Sequence, residues 1–124
     1  PLMKNVGDKS ILKSIKNPVK NRYEIEILCP EITFIGHPTQ PDFACAKIIM
    51  YPNSKVIELK SLKDYLVTFR DVYISYERFV NVLYDDLMNT YSPHELAVEI
   101  EFKPRGGISS TLRVDSKLQC KKIK

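Results

Sequence analysis

"ELAVEIEFKPRGGISSTLRV", residues 95–114, carries the pattern of two strands joined by a tight turn. Leu96, Val98, Ile100 and Phe102 alternate with outward-facing Glu99 and Glu101. A period of two with one apolar side is a half-buried strand. "PRGG" (104–107) is a turn by composition, because glycine takes positive φ without steric cost. "ISSTLRV" (108–114) then reads as the last strand, antiparallel to the one before it.

Working upstream, the period changes. Ser75 opens a helix in which Tyr76, Phe79, Val80, Leu83, Leu87 and Tyr91 form one apolar stripe. Ser61 is expected to cap an earlier helix, with Asp64 three residues on. Leu62, Tyr65, Leu66 and Phe69 share its inner face. Before it lie a short extended piece, "KVIEL", the turn "PNS" (52–54) and the strand "FACAKIIMY" (43–51). "RYEIEIL" (22–28) alternates again, and Pro30, Pro38 and Pro41 are expected to break the chain into a loop. Residues 1–21 show no period and read as a loose basic arm. The expected division is that arm, one domain over 22–116, and a basic tail over 117–124.

The order strand, strand, helix, helix, strand, strand implies an α+β fold: an antiparallel sheet with both helices on one face. Such a sheet leaves its edges unpaired, and closure of several copies into a barrel would remove them. A homo-oligomer is therefore expected.

Composition narrows the class. A chain of 124 residues, 44% hydrophobic and 27% charged, suits one globular domain rather than a disordered segment. No apolar run has the length of a membrane span, so no membrane partner is expected. Cys29, Cys45 and Cys120 match neither a zinc nor a disulfide spacing, and an odd count without an export pattern favours a reducing cytoplasm. His37 and His94 stand in no ligand array, so no metal is expected. Glycine-rich dinucleotide and phosphate loops are absent. The net charge of +4 is uneven: residues 1–22 carry +5 and residues 115–124 carry +3, which leaves −4 on the body. Basic ends attract phosphates, of a nucleotide cofactor or of RNA. Tails alone do not make a nucleic-acid site, and nucleic acid is not an expected partner.

Three places could carry chemistry. Glu58, Lys60, Ser61 and Lys63 cluster at a strand-to-helix junction, where free N–H groups and two lysines could hold phosphates. Glu77 sits at the start of the second helix; its two acceptors suit the N–H pair of a guanine edge, and equally the helix dipole. Arg105 stands beside Gly106 in the turn, where a guanidinium can grip a phosphate bidentately.

"QPDFA" (40–44), "ELKSLKDYLVTFRD" (58–71), a Glu six residues later and "FKPRGGIS" (102–109) occur in one order at fitting distances. The chain resembles the tunnel-fold nitrile reductases of queuosine biosynthesis, the NADPH-dependent 7-cyano-7-deazaguanine reductases (QueF type), over roughly residues 22–110. The resemblance implies a tunnelling fold assembled as a barrel, with sites at subunit interfaces. It implies attack of a cysteine thiolate on the nitrile carbon, protonation by an Asp, and two hydride deliveries from NADPH. Carried over, Asp42 matches the proton donor, and Glu77, Glu58 and Ser61 match the substrate side. Lys60, Lys63, Arg105 and Gly106 match the cofactor side.

Two positions depart from the family pattern. Where the family has Cys-Pro, this chain has Gly36 and His37, with one residue fewer before Asp42. Where members tend to have His before the purine-gripping Glu, it has Tyr76. Cys29 lies thirteen residues before Asp42, and Cys45 lies three after it on the opposite face of a regular strand. Three readings stand: a nitrile reductase with an altered covalent step, a GTP cyclohydrolase-like or pterin enzyme on the same fold, and a non-catalytic purine-binding protein.

Overall fold

The computed structural model describes residues 6–37 and 40–120, with the side chains of His37 and Cys120 outside the description. Its elements in order are a 3-10 turn (Lys9–Ile11), β1 (Ser14–Lys16), β2 (Ile25–His37), β3 (Gln40–Tyr51), β4 (Lys55–Ile57), α1 (Leu59–Val67), α2 (Tyr76–Tyr91), β5 (Glu95–Arg105), β6 (Ile108–Asp115) and α3 (Ser116–Cys120). The main sheet is antiparallel in the order β2-β3-β5-β6, and β1 and β4 form a separate two-stranded ribbon. The main sheet stays open within the chain, with β2 and β6 as its edges.

Alternation places the core. Ala44, Ala46, Ile48 and Met50 of β3 and Leu96, Val98, Ile100 and Phe102 of β5 are buried on one face. Phe79, Val80, Leu83, Leu87 and Tyr91 of α2 and Leu62 and Tyr65 of α1 join them in one cluster. Both helical stripes therefore pack as their spacing predicts. Ser75 caps α2 through a bond from the Arg78 N–H, at the position expected. The β5–β6 turn holds Gly106 and Gly107 at φ 62° and 84°, which is the geometry of a two-residue primed hairpin.

Four expectations are corrected. The proline-rich stretch does not form a long loop: β2 and β3 continue as one hairpin, with register breaks between Cys29 and Ile32 and between Ile35 and His37. Pro30 falls in the first break on an edge strand, where a missing N–H costs no ladder bond. Pro38 lies outside the described residues. The N-terminal segment is not loose from residue 9 onward. β1 pairs with β4, Leu12 is buried, and the Lys13 carbonyl accepts from the Tyr91 hydroxyl at 2.7 Å. The cap of α1 is Glu58, whose carboxylate accepts from the Ser61 N–H at 2.7 Å, rather than Ser61 itself. Finally, the first residues of the expected tail form α3, its start tied by the Asp115 carboxylate to the Lys117 N–H.

Candidate functional site

The far end of the β2–β3 hairpin brings the critical residues together. Phe34 pairs with Asp42, Ile35 with Pro41 and His37 with Gln40, so Gly36 is the bulged residue between them. The Ile35 N–H donates to the Val72 carbonyl and the Ile74 N–H donates to the Ile35 carbonyl. This bridge ties the segment before α2 onto the β2 edge and delivers the first residue of α2, Tyr76, to Asp42.

Asp42 is 7% exposed and fully engaged. Its Oδ1 accepts from the Arg105 Nε at 2.8 Å, and its Oδ2 accepts from the Tyr76 hydroxyl at 3.3 Å. Arg105 also donates to the Gln40 side chain at 2.6 Å and to the Pro41 carbonyl at 3.3 Å. The Tyr76 ring stacks on Phe102 at 3.9 Å and 9°, and Phe34 lies edge-on to both rings. Burial, with the Asp42 charge second, pushes the Tyr76 phenol above its ordinary pKa and keeps it protonated. A Cβ built on Gly36 would fall on Asp42 Oδ2 and within 2.9 Å of its Cγ. The carboxylate thus fills the space where a side chain at position 36 would begin.

The other expected site residues distribute as follows. Glu77 is exposed in the first turn of α2, beside Tyr76, and its carboxylate has no hydrogen-bond partner among the described residues. Glu58 and Ser61 lie at the start of α1, and both are occupied by the fold. Glu58 caps the helix, while the Ser61 hydroxyl accepts from the Lys13 N–H at 2.9 Å and donates to the Glu58 carbonyl at 2.7 Å. Lys60 pairs with Asp64 at 3.1 Å on the exposed face, and Lys63 is exposed on the rim of a groove between α1 and β2. No hydrogen bond or ion pair among the described residues joins this group to Asp42. Gly106 is a turn residue with open space around it. His37 ends β2 by its backbone.

Neither remaining described thiol is prepared as a nucleophile. Burial pushes the Cys29 thiol above its ordinary pKa. Burial and the Glu101 carboxylate, which accepts from Cys45 Sγ at 3.4 Å, do the same for Cys45. A raised thiol holds less thiolate, the reactive form. Asp42 is buried on the core face of β3 and Cys45 lies on the other face, as alternation requires. Gln40, Phe34 and Phe102 belong to the site and were not singled out from sequence. The quoted "QPDFA" contains the first, Phe102 read only as an inward strand residue, and Phe34 had no reading of its own.

Comparison with known proteins finds matches in sequence and in structure. The family described as "QueF-like protein" matches residues 41–121. A protein of Prochlorococcus marinus (strain MIT 9301) named NADPH-dependent 7-cyano-7-deazaguanine reductase is 46% identical over 114 residues, covering 88% of this chain and 82% of that protein. A protein of the same name from Trichodesmium erythraeum (strain IMS101) is 38% identical over 118 residues, with the same coverage. Among solved structures, the archaeosine synthase QueF-Like in its apo form superposes with a TM-score of 0.65 at 12% identity, covering 78% of this chain and 94% of that one. At that identity the likeness establishes the fold, a tunnelling fold, as the family resemblance implied.

Proposed function

We propose, from the premise that the chain belongs to the QueF-like family, that it is an NADPH-dependent 7-cyano-7-deazaguanine reductase whose site no longer forms a thioimide at the family position. The observation that carries this reading is the pairing of relatives 46% and 38% identical with Gly36, whose missing side chain is replaced in space by the Asp42 carboxylate. The balanced reaction takes one nitrile, two NADPH and two protons to one aminomethyl group and two NADP+.

The chain's own residues divide the work. Glu77, without a hydrogen-bond partner among the described residues, offers its two oxygens to the N–H pair of a guanine-like edge. Asp42 and the Tyr76 hydroxyl that bonds to it form the proton-handling pair. NADPH, when bound, supplies hydride. Lys60 and Lys63 on the exposed face of α1 fit its phosphates, because the Lys60–Asp64 pair is exposed and weak enough to yield. Arg105 fits that role less well, since Asp42, Gln40 and Pro41 already occupy its donors.

A second reading is favoured by the same filled space at Gly36: the site binds a deazaguanine and leaves it unchanged. Product analysis of a mixture with NADPH separates the two. A cyclohydrolase-like reaction has no support from a metal site, since the described residues hold no group of three or more His, Cys, Asp or Glu suited to a metal ion.

The working form is proposed to be a homo-oligomer of cytoplasmic location. The unpaired β2 edge borders a groove of about 390 Å³ against α1, and Leu28 and Leu59, each 62% exposed, line it. Exposed apolar side chains along an unpaired strand edge suit a second copy of the chain. Light scattering of the wild type at micromolar concentration is expected to give a multimer, and Leu28→Glu a smaller species. A monomeric wild type would rule the assembly out.

A further inference from the structure

The basic N-terminal segment is not absorbed by the function above, and the fold gives it a defined shape. β1 and the chain that follows it cross the 52–54 turn at the opposite end of β3 from Asp42. Ten residues of extended strand separate Asp42 from Pro52, on the order of 30 Å. Asn17 fixes the crossing. Its N–H donates to the Ser54 carbonyl at 2.9 Å and its side-chain amide donates to the Asn53 carbonyl at 2.8 Å. Its Oδ1 accepts from the Tyr23 hydroxyl at 3.0 Å and from the Val19 N–H at 3.3 Å. The loop between Lys16 and Arg22 is thereby held open over the turn.

The result is a cavity of about 320 Å³ lined by Lys16, Lys20, Arg22 and His94, with Asn17, Asn21, Asn53 and Ser54 between them. No Asp or Glu among the described residues lines it. No ion pair or side-chain hydrogen bond among the described residues engages Lys16, Lys20 or Arg22. Glu24, on the adjoining strand side, accepts from the Tyr51 hydroxyl at 2.8 Å. Lys16 also stands directly opposite Lys55 in the β1–β4 ribbon. Like charges facing across a strand pair are unfavourable, so the arrangement has a cost that the fold alone does not explain. Lys55 relieves part of it by reaching the Thr90 carbonyl at the end of α2, at 3.4 Å.

We propose that this cradle is a second binding site, for a ligand carrying at least two adjacent phosphates. Three permanent cations supply the charge, and the amides and the Ser54 hydroxyl supply directed donors. The chemistry is shared by a free oligophosphate and by the backbone of a nucleic acid strand, and the test separates them.

Two probes are titrated into the full chain at low salt: inorganic tripolyphosphate by calorimetry, and a fluorescein-labelled 12-nucleotide single-stranded DNA by anisotropy. The double variant Lys20→Ala/Arg22→Ala is expected to bind the preferred probe at least about 10-fold more weakly. A charge-matched control, Lys103→Ala/Lys117→Ala, is expected to bind as the wild type does. Asn17→Ala, which keeps every cation, is expected to weaken binding as well, because the loop loses its anchor. Tighter binding of the DNA, with a log–log salt slope of about −2 for three phosphate contacts, identifies a strand backbone. Tighter binding of tripolyphosphate identifies a free oligophosphate. Absence of binding by both probes, or equal weakening in the two double variants, overturns the proposal.

Discussion

Gly36→Ala is expected to destabilise the protein by about 1–3 kcal/mol, the usual cost of forcing an extra methyl into filled space. The new Cβ would land on Asp42 Oδ2, and Asp42 is a short, buried side chain held by Arg105 and Tyr76. It can yield only by giving up those bonds. The interaction is therefore specific to one pair, and a double-mutant cycle exposes it. In an Asp42→Ala background the methyl meets no carboxylate, so Gly36→Ala should cost several-fold less there. Urea melts of the four proteins measure this directly. Equal costs in both backgrounds would mean that Asp42 does not occupy the space before Gly36. The same logic governs Gly36→Cys: any side chain at position 36 requires Asp42 to swing away first.

Phe34→Ala is expected to cost more, about 3–5 kcal/mol, with a fall in Tm of more than roughly 10 °C. Phe34 is fully buried and meets Phe79 at 4.9 Å, Phe102 at 5.7 Å and Tyr76 at 6.0 Å, all edge-on. Its loss leaves a cavity beneath the Tyr76–Phe102 stack, so the site should loosen with the core. The expected signature is weaker ligand binding even at temperatures where the variant remains folded. A change in Tm below about 3 °C would mean that the aromatic cluster does not support the hairpin end.

The strands and helices that bury a regular face were legible in the sequence. The alternation in β5 and the stripe in α2 need no tertiary information to be read. The β2–β3 hairpin was not, because three prolines in twelve residues signal a loop unless one knows that β2 is an edge strand carrying bulges. β1 was missed because three residues are too few for a period, and only pairing with β4 makes them a strand. At the helix start, Ser61 carried the stronger capping signal. The structure instead buries its hydroxyl against Lys13 and leaves the cap to Glu58.

The site was half legible for a similar reason. Asp42 and Arg105 each stand in a recognisable segment, but their ion pair joins residues 63 apart in sequence. The pairing alters what Arg105 is free to do, and no local signal reports it. Tyr76 reads as the first member of an apolar stripe. Its ring does pack on Phe102, while its hydroxyl belongs to the site. The consequence of Gly36 is the least local of all. A glycine is visible in sequence, but the carboxylate that fills the space beside it is visible only in three dimensions.

Reduction of the nitrile is proposed to proceed without a protein adduct. It is tested by incubating the wild type with 7-cyano-7-deazaguanine and NADPH, then analysing the small molecules and the intact protein mass together. The expected result is two NADPH consumed for each aminomethyl product, with the protein mass unchanged throughout. Nitrile recovered intact with no NADPH consumed would contradict it and leave a site that binds without turning over.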